Sequence, residues 1–143
     1  MKLIIKITLV TLVFSLFGAC STTKQTAKAQ NESNQTEVVE TKAPINKNVS
    51  ASEFKTLIDS GKGLLLDVRT PNEVAQGSIK GNTNIDYFGA NFKTELAKLD
   101  KNKPVYVYCR SGNRSGKSMQ IMTDMGFKEV YNLIGGYSAW PYK

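Results

Sequence analysis

An apolar run, Val105–Tyr108, ends abruptly at a cysteine and constrains the fold more than any other stretch of the chain. Residues 109–115 follow as Cys-Arg-Ser-Gly-Asn-Arg-Ser, and a helical pattern begins near Gly116. A short apolar run closed by a turn signal predicts a buried strand. We therefore expect Cys109 at the carboxyl end of a strand, in a tight loop that leads into a helix. In open α/β sheets this is where ligands usually bind.

The residue types of this loop predict a nucleophile surrounded by anion-binding groups. Gly112 and Asn113 tolerate positive φ, so the backbone can curl and direct successive N–H groups inward at the start of the helix. These N–H groups, together with Arg110 and Arg114, favour the thiolate form of Cys109, which is the nucleophilic form of sulfur. The alternative is a core cysteine followed by a polar loop, because cysteine is often buried. The two neighbouring arginines favour the nucleophile.

Three motifs resemble those of the rhodanese-type sulfurtransferases. Residues 109–115 resemble the active-site loop of that family, and residues 67–73 (Asp-Val-Arg-Thr-Pro-Asn-Glu) resemble its Asp-x-Arg signature. Residues 135–140 (Gly-Gly-Tyr-Ser-Ala-Trp) resemble its closing segment. The resemblance implies that Cys109 is the catalytic residue. It also implies a set of substrate-binding residues, namely Arg110, Ser111, Gly112, Asn113, Arg114 and Ser115.

The resemblance gives Asp67 and Arg69 a supporting role. In that family the strand end at residue 67 lies beside the cysteine loop, so we expect Asp67 to orient Arg114 through a charge-assisted hydrogen bond. The alternative is an ordinary helix-capping turn. One departure lies nearby: where many relatives have Gly-His-Ile-Pro-Gly, residues 77–81 read Gly-Ser-Ile-Lys-Gly. We expect Ser78 and Lys80 to alter the rim of the pocket.

Strand and helix patterns alternate along the second part of the chain. This alternation predicts an α/β fold with a parallel sheet covered on both faces. The resemblance implies a three-layer rhodanese-like domain over residues 48–143, with a mostly parallel central sheet. The predicted elements are a helix capped by Ser50 and Glu53 and ended by Gly61, a strand at 64–66, a helix capped by Thr70, a strand at 83–86, a helix marked by Phe92, Leu96 and Leu99, a strand at 105–108, a helix with a core-facing methionine stripe (Met119, Met122, Met125) ended by Gly126, and a strand at 129–133.

Composition narrows the chemistry. The chain has no histidine, which excludes Ser-His-Asp and Cys-His catalysis and histidine-ligated metals. Its two cysteines are far apart, so a structural zinc site is not expected. We expect neither a metal nor an organic cofactor. The net charge of +7 allows anionic partners, but no basic helix supports binding of nucleic acid.

The first residues predict export and a lipid anchor. Residues 1–19 have a basic start and an apolar run too short for a comfortable membrane span, which is typical of a secretory signal. Phe17-Gly18-Ala19-Cys20 resembles a bacterial lipobox, although Phe17 departs from the preferred aliphatic residue. We expect lipidated Cys20, a flexible polar tether over residues 20–47, and a location at the bacterial cell envelope, facing away from the cytoplasm. Ordinary signal cleavage is the alternative.

The expected activity is transfer of sulfane sulfur through a Cys109 persulfide. The partners are a small anionic sulfur donor, such as thiosulfate or a persulfide, and a thiol or cyanide acceptor, and we expect a monomer. One alternative is a non-catalytic rhodanese-like binding module, although such modules often lack the cysteine. Another is a cysteine-dependent phosphatase or arsenate reductase. Protein tyrosine phosphatases use Cys-x5-Arg, whereas Cys109 to Arg114 is Cys-x4-Arg.

Overall fold

The computed structural model describes residues 43–143. The predicted signal segment, Cys20 and most of the predicted tether lie outside these residues. No helix within residues 43–143 has the length and apolar character needed to cross a bilayer. The elements are β1 (Ile45–Val49), α1 (Ala51–Asp59), β2 (Leu64–Asp67), α2 (Pro71–Ala75), β3 (Thr83–Asn84), α3 (Phe92–Ala97), β4 (Val105–Tyr108), α4 (Asn113–Asp124), β5 (Glu129–Leu133) and a short 3₁₀ helix (Gly136–Ala139).

The five strands form one parallel sheet in the order β1-β5-β4-β2-β3. β4 lies at the centre, with β2 on one side and β5 on the other. In the register of β2 and β4, Asp67 is paired with Tyr108, so the residues that follow these two strands emerge side by side at the carboxyl edge. The predicted α/β class with a parallel sheet is confirmed.

Two apolar clusters cover the two faces of the sheet. One cluster packs residues of α3 and α4, such as Leu96 and Met122, against alternate residues of β4, Val105 and Val107. The other packs Phe54 of α1 and residues near the C-terminus against the intervening tyrosines of β4. This alternation follows from strand geometry, in which successive side chains point to opposite faces. The result is the predicted three-layer arrangement.

Local capping explains where the first two helices begin. The Ser50 hydroxyl accepts a hydrogen bond from the backbone N–H of Glu53, while the Glu53 carboxylate pairs with Lys47. Only half of the predicted capping box is therefore formed in α1. In α2 the box is complete, because Thr70 and Glu73 each accept a hydrogen bond from the backbone of the other. This second box matters because it also fixes the position of the Glu73 side chain.

Four boundaries differ from the prediction. β1 begins at Ile45, inside the predicted tether. Its polar sequence pairs with β5 at the edge of the sheet, and Val49 is its only fully buried residue, so no apolar pattern marks it as a strand. α4 begins at Asn113 rather than near Gly116, because the turn after β4 is already completed at Gly112, the N-cap of the helix. The strand predicted at 83–86 is limited to Thr83–Asn84. Leu99 lies beyond the end of α3 but still packs against the core.

Candidate active site

The loop after β4 turns sharply around the side chain of Cys109. Gly112, at the N-cap of α4, has φ of +92°, in the left-handed region that favours glycine. Asn113, for which we also expected tolerance of positive φ, is instead the first residue of the helix. The turn therefore rests on Gly112 alone. It directs the amino end of a 12-residue helix at the sulfur, which is a favourable position for a negative charge.

Hydrogen bonds stabilise the thiolate of Cys109. The Gly112 N–H donates to Sγ at 3.2 Å, and the Ser115 hydroxyl lies 3.4 Å from Sγ. Burial by itself raises the pKa of this thiol, since Cys109 is almost completely enclosed. Hydrogen bonds from the Ser115 side chain and from the backbone of Ser115, Ser111 and Gly112 outweigh burial and bring the pKa below that of an ordinary thiol. The predicted anion-stabilising loop is thus present around the sulfur.

Arg114 is held in place by Glu73. Its Nη1 and Nη2 each donate to one carboxylate oxygen of Glu73, at 2.7 Å in both cases. The guanidinium also faces the Phe88 ring, with 5.5 Å between Cζ and the ring centroid. Glu73, and secondarily the nearby Cys109, raise the pKa of Arg114. The hydrogen bond from Arg114 in turn lowers the pKa of Glu73 to about 2. Arg114 is therefore a fixed cation beside the nucleophile.

The expected contact between Asp67 and Arg114 is wrong. Asp67 pairs with Arg69, two residues along the chain, through Arg69 Nε at 3.0 Å and Nη2 at 2.6 Å. Both side chains are almost completely buried. Arg69 also donates to the backbone oxygens of Glu73 and Gly77. The pair therefore joins the end of β2 to the middle of α2 and to the turn that follows it. It supports the element that carries Glu73, while Glu73 supplies the contact to Arg114.

The closing segment, residues 135–140, packs directly on the cysteine loop. The backbone N–H of Tyr137 donates to the Cys109 oxygen at 2.7 Å, and that of Ser138 donates to the Arg110 oxygen at 2.9 Å. A Cβ placed on Gly136, which has φ of +57°, would clash with the Cys109 oxygen. Only glycine fits at this approach. The closing segment therefore fixes the backbone on which the nucleophile is carried.

The remaining predicted site residues differ in their surroundings. Arg110, Ser111 and Asn113 are exposed at the surface of the loop, whereas Ser115 is fully buried. Arg110 follows Cys109 directly, yet it lines a groove on the side of Tyr137 rather than enclosing the sulfur. The loop thus brings its buried hydrogen-bond donors to the sulfur and leaves Arg110 exposed at the surface.

Of Ser78 and Lys80, only Lys80 lies away from the predicted rim. The Ser78 hydroxyl accepts a hydrogen bond from Asn82 within its own turn. Lys80 lines a groove with Asp59 and Gly63, next to the amino end of β2. That edge of the sheet is opposite the one from which Cys109 emerges, because all strands are parallel. The prediction that Lys80 alters the pocket rim is therefore wrong.

Sequence reasoning missed three contributors to the site. Glu73 ends the stretch that resembles the Asp-x-Arg signature and has no predicted role of its own, although a carboxylate three residues into a short helix near two arginines is also a candidate ion-pair partner. Phe88 stands in a loop with no regular pattern, and no sequence signal indicates that it covers Arg114. Gly136 belongs to the closing segment, but its close approach to the Cys109 oxygen depends on how β5 and β4 are aligned.

A cysteine centred in a loop of N–H donors, at the carboxyl edge of a parallel sheet, defines a class of anion-binding nucleophile sites. Comparison with known proteins specifies it further. The model of the Rhodanese-like domain matches residues 50–142, and the chain belongs to this family. YqhL of Bacillus subtilis, named as an uncharacterized protein, is 38% identical over 69% of this chain and 75% of its own length.

Two further relatives carry names that state an activity. Thiosulfate sulfurtransferase GlpE of Coxiella burnetii is 34% identical over 66% of this chain and 86% of its own length. The structure of the human single-domain sulfurtransferase TSTD1 superposes with a TM-score of 0.56 at 27% identity, covering 71% of this chain and 98% of that one. The match to single-domain proteins agrees with the extent of the fold over the described residues.

Proposed function

We propose that the protein is a sulfurtransferase that moves sulfane sulfur through a persulfide on Cys109. The observation that carries the proposal is the hydrogen-bonded Cys109 thiol in the turn before α4, whose pKa these hydrogen bonds lower. Thiolate is the reactive form in sulfur exchange. The names of GlpE and TSTD1 support the same class of activity.

In the first half-reaction the Cys109 thiolate attacks the outer sulfur of a donor such as thiosulfate. A bond forms between Sγ and that sulfur, the sulfur–sulfur bond of thiosulfate breaks, and sulfite leaves with the electron pair. The cysteine then carries a persulfide anion, so the total charge is unchanged. N–H groups of the loop that stabilise the thiolate also lie where the persulfide charge develops. Arg114, which Glu73 holds beside Cys109, supplies positive charge for the anionic donor and the leaving sulfite.

In the second half-reaction a thiol or cyanide removes the outer sulfur. Cyanide attacks that sulfur, thiocyanate leaves, and the electron pair of the broken bond returns to Sγ as thiolate. Because the enzyme is covalently modified between the two substrates, ping-pong kinetics are expected. The chain's own residues bind the anions and stabilise the sulfur at each stage.

The deciding experiment measures the intact mass of the purified protein after incubation with thiosulfate. The expected result is a gain of one sulfur atom on Cys109, absent in Cys109→Ser and reversed by cyanide. Hydrolysis of an aryl phosphate through Cys109 without a sulfur adduct favours the phosphatase alternative. Absence of both activities in folded protein favours a rhodanese-like binding module.

We also propose that Cys20 is lipidated and holds the domain at a bacterial membrane, on the side away from the cytoplasm. The proposal rests on the lipobox-like sequence that ends at Cys20 and on the polar stretch that follows it. Mass spectrometry of the native N-terminus tests it. A mature chain that starts at a diacylated Cys20 is expected, and a chain that starts elsewhere with a free Cys20 thiol contradicts it.

A further inference from the structure

A polar groove beside the Cys109 loop is not used by the sulfur chemistry described so far. We refer to it as the side groove, and its lining includes Arg69, Glu73, Arg110, Tyr137, Ser138 and Lys143. Cys109 packs with the core on the α3 and α4 side of the sheet, whereas Arg110 turns to the opposite side and enters this groove. The groove and the sulfur therefore lie on opposite sides of the same loop and are joined by the Cys109–Arg110 backbone.

The charges of the side groove are not balanced. Arg69 is neutralised by Asp67, and Glu73 is neutralised by Arg114. Among the ion pairs found within residues 43–143, none involves Arg110 or the Lys143 side chain. The groove consequently presents two positive charges to a ligand.

The side groove is also rigidly connected to the nucleophile. Tyr137 and Ser138, which form part of its wall, donate their backbone N–H groups to the oxygens of Cys109 and Arg110. The Nζ of Lys143 lies 4.8 Å from the centroid of the Tyr137 ring, an arrangement that holds the cation at the wall of the groove. A ligand bound here lies next to the loop without occupying the position of the transferred sulfur.

We propose that the side groove binds the carboxylates of a small anionic thiol that accepts sulfur from Cys109. This inference rests on the proposed function and assigns a chemical class to its second substrate. Thiosulfate is small enough for the loop and Arg114 to hold both its transferred sulfur and its leaving sulfite, whereas a thiol acceptor carries a larger non-reacting part that needs a separate site. The guanidinium of Arg110 and the ammonium of Lys143 match the two carboxylates of a dicarboxylate, and guanidinium binds carboxylate in a bidentate manner.

The step assigned to this acceptor is balanced. The acceptor thiolate attacks the outer sulfur of the Cys109 persulfide and forms a new sulfur–sulfur bond. The bond between that sulfur and Sγ breaks, and its electron pair remains on Sγ as thiolate. The product is the persulfide of the acceptor, and no external oxidant or reductant takes part.

A comparison of two acceptors of similar size tests the assignment. Protein carrying the Cys109 persulfide is mixed with mercaptosuccinate or with uncharged 1-thioglycerol, and the rate of sulfur removal is measured against acceptor concentration. Rates are corrected for thiol basicity with a Brønsted slope of about 0.4–0.5. We expect saturation at a lower concentration for mercaptosuccinate, and a preference that weakens as ionic strength rises.

Charge reversal at the groove provides the matched pair of variants. Lys143→Glu is expected to raise the KM for mercaptosuccinate about fivefold and to change that for 1-thioglycerol less than about twofold, in keeping with the upper end of exposed ion-pair energies. Lys103→Glu alters the net charge equally, but its site is exposed in the turn before β4, at the other edge of the sheet. It should leave both KM values within about twofold. Equal effects of the two variants, or equal effects on the two thiols, overturn the proposal.

A binding measurement separates this inference from the proposed function. Reduced wild-type protein is titrated with succinate or with uncharged succinamide, and the amide NMR signals of Tyr137 and Ser138 are followed. Succinate is expected to shift both signals, with a smaller shift in Lys143→Glu, and succinamide is expected to shift neither. If no persulfide forms but succinate binds, the proposed function fails and the anion site stands. If succinate does not bind while the persulfide forms, the side-groove proposal alone is wrong.

Discussion

The Cys109 loop is supported from two sides by contacts of different kinds. On the α2 side, the Glu73 carboxylate holds the Arg114 guanidinium through two charged hydrogen bonds between partly exposed side chains. On the β5 side, the support is neutral and consists of backbone: two N–H groups donate to loop carbonyl oxygens, and Gly136 lies against the Cys109 oxygen with no space for a side chain.

The two kinds of contact do different things: the ion pair fixes the position of the Arg114 charge, and the backbone contacts fix the position of the loop. A side-chain ion pair near the surface contributes little to stability, because water already solvates both groups well, but it determines where the cation lies. Close backbone packing determines where the sulfur and its N–H donors lie, and the structure cannot change at that point without moving them. Loss of the first support should therefore affect catalysis more than folding, and loss of the second should affect both.

Gly136→Ala should produce the largest effect. The added Cβ meets the Cys109 oxygen and the Arg110 carbonyl group, both closer than real Cβ contacts allow, at a positive φ. We expect a loss of roughly 2–5 kcal/mol in the free energy of unfolding, combining overpacking with left-handed backbone strain. We also expect persulfide formation to fall at least about tenfold, because a shift of the loop misaligns its donors. Urea unfolding and single-turnover kinetics measure the two effects.

The matched control for this variant is Gly61→Ala. Gly61 has a similar φ of +66°, but a Cβ there meets nothing within 4 Å. It should lose about 1 kcal/mol from backbone strain alone and retain full activity. Similar stability losses and unchanged activity in both variants would show that the contact between Gly136 and the loop has no role in positioning Cys109.

Glu73→Gln should affect catalysis more than stability. The amide keeps the size of the side chain but loses the charge and one of the two acceptor positions for Arg114. Persulfide formation is expected to fall about tenfold, equivalent to about 1.4 kcal/mol. The free energy of unfolding should decrease by only about 1 kcal/mol, since the pair is partly exposed.

Glu53→Gln is the control for this second variant. Glu53 occupies the same position in the first turn of α1 and pairs with Lys47 at the surface, away from the loop. Its substitution should leave activity unchanged. If Glu73→Gln also retains full activity, Arg114 does not need its carboxylate partner to act on the sulfur, and the ion pair does not set the position of the catalytic charge.

The sequence predicts the parts of this site that depend on local order. Cys109 at the end of an apolar run, Gly112 in a turn and Thr70 before Pro71 each carry a signal within a few residues. These signals place Cys109, the turn and the start of α2 correctly. β1 was missed because an edge strand with mostly exposed residues has no apolar alternation to reveal it.

Pairing between distant side chains is where the prediction failed. Both Asp67 and Glu73 were available to Arg114, and the resemblance favoured Asp67 because it ends the neighbouring strand. In the structure Asp67 accepts from Arg69 within its own turn, which leaves the longer Glu73 to span to α4. Side-chain direction and burial decide which carboxylate pairs with Arg114. Both depend on how α2 packs against the rest of the fold, which the sequence does not reveal.

Ser115→Ala should affect the sulfur from within the loop, independently of both supports. The hydroxyl proton of Ser115 is shared between Cys109 Sγ and the Gly112 oxygen, and the hydrogen bond to sulfur lowers the thiol pKa. Its removal should move the midpoint of Cys109 alkylation by iodoacetamide to higher pH, because the thiolate loses one donor while burial still disfavours it. A midpoint that does not move would assign the low pKa to the backbone N–H groups alone.

Acid should remove the charged support while leaving the neutral one in place. The pKa of Glu73 is lowered from 4.5 to about 2, chiefly by the hydrogen bond from Arg114. A carboxylate with a lowered pKa in the folded state contributes stability above its unfolded pKa and loses it as the pH falls toward its folded pKa. The stability difference between wild type and Glu73→Gln should therefore be constant above about pH 4.5 and should disappear near pH 2.

By contrast, the difference between wild type and Gly136→Ala should persist across that range, because no titrating group makes that contact. Denaturant unfolding of the three proteins between pH 6 and pH 2 measures both differences, at roughly 1 kcal/mol for the ion pair. If the Glu73 difference persists at the lowest pH, the amide has a structural cost separate from the charge.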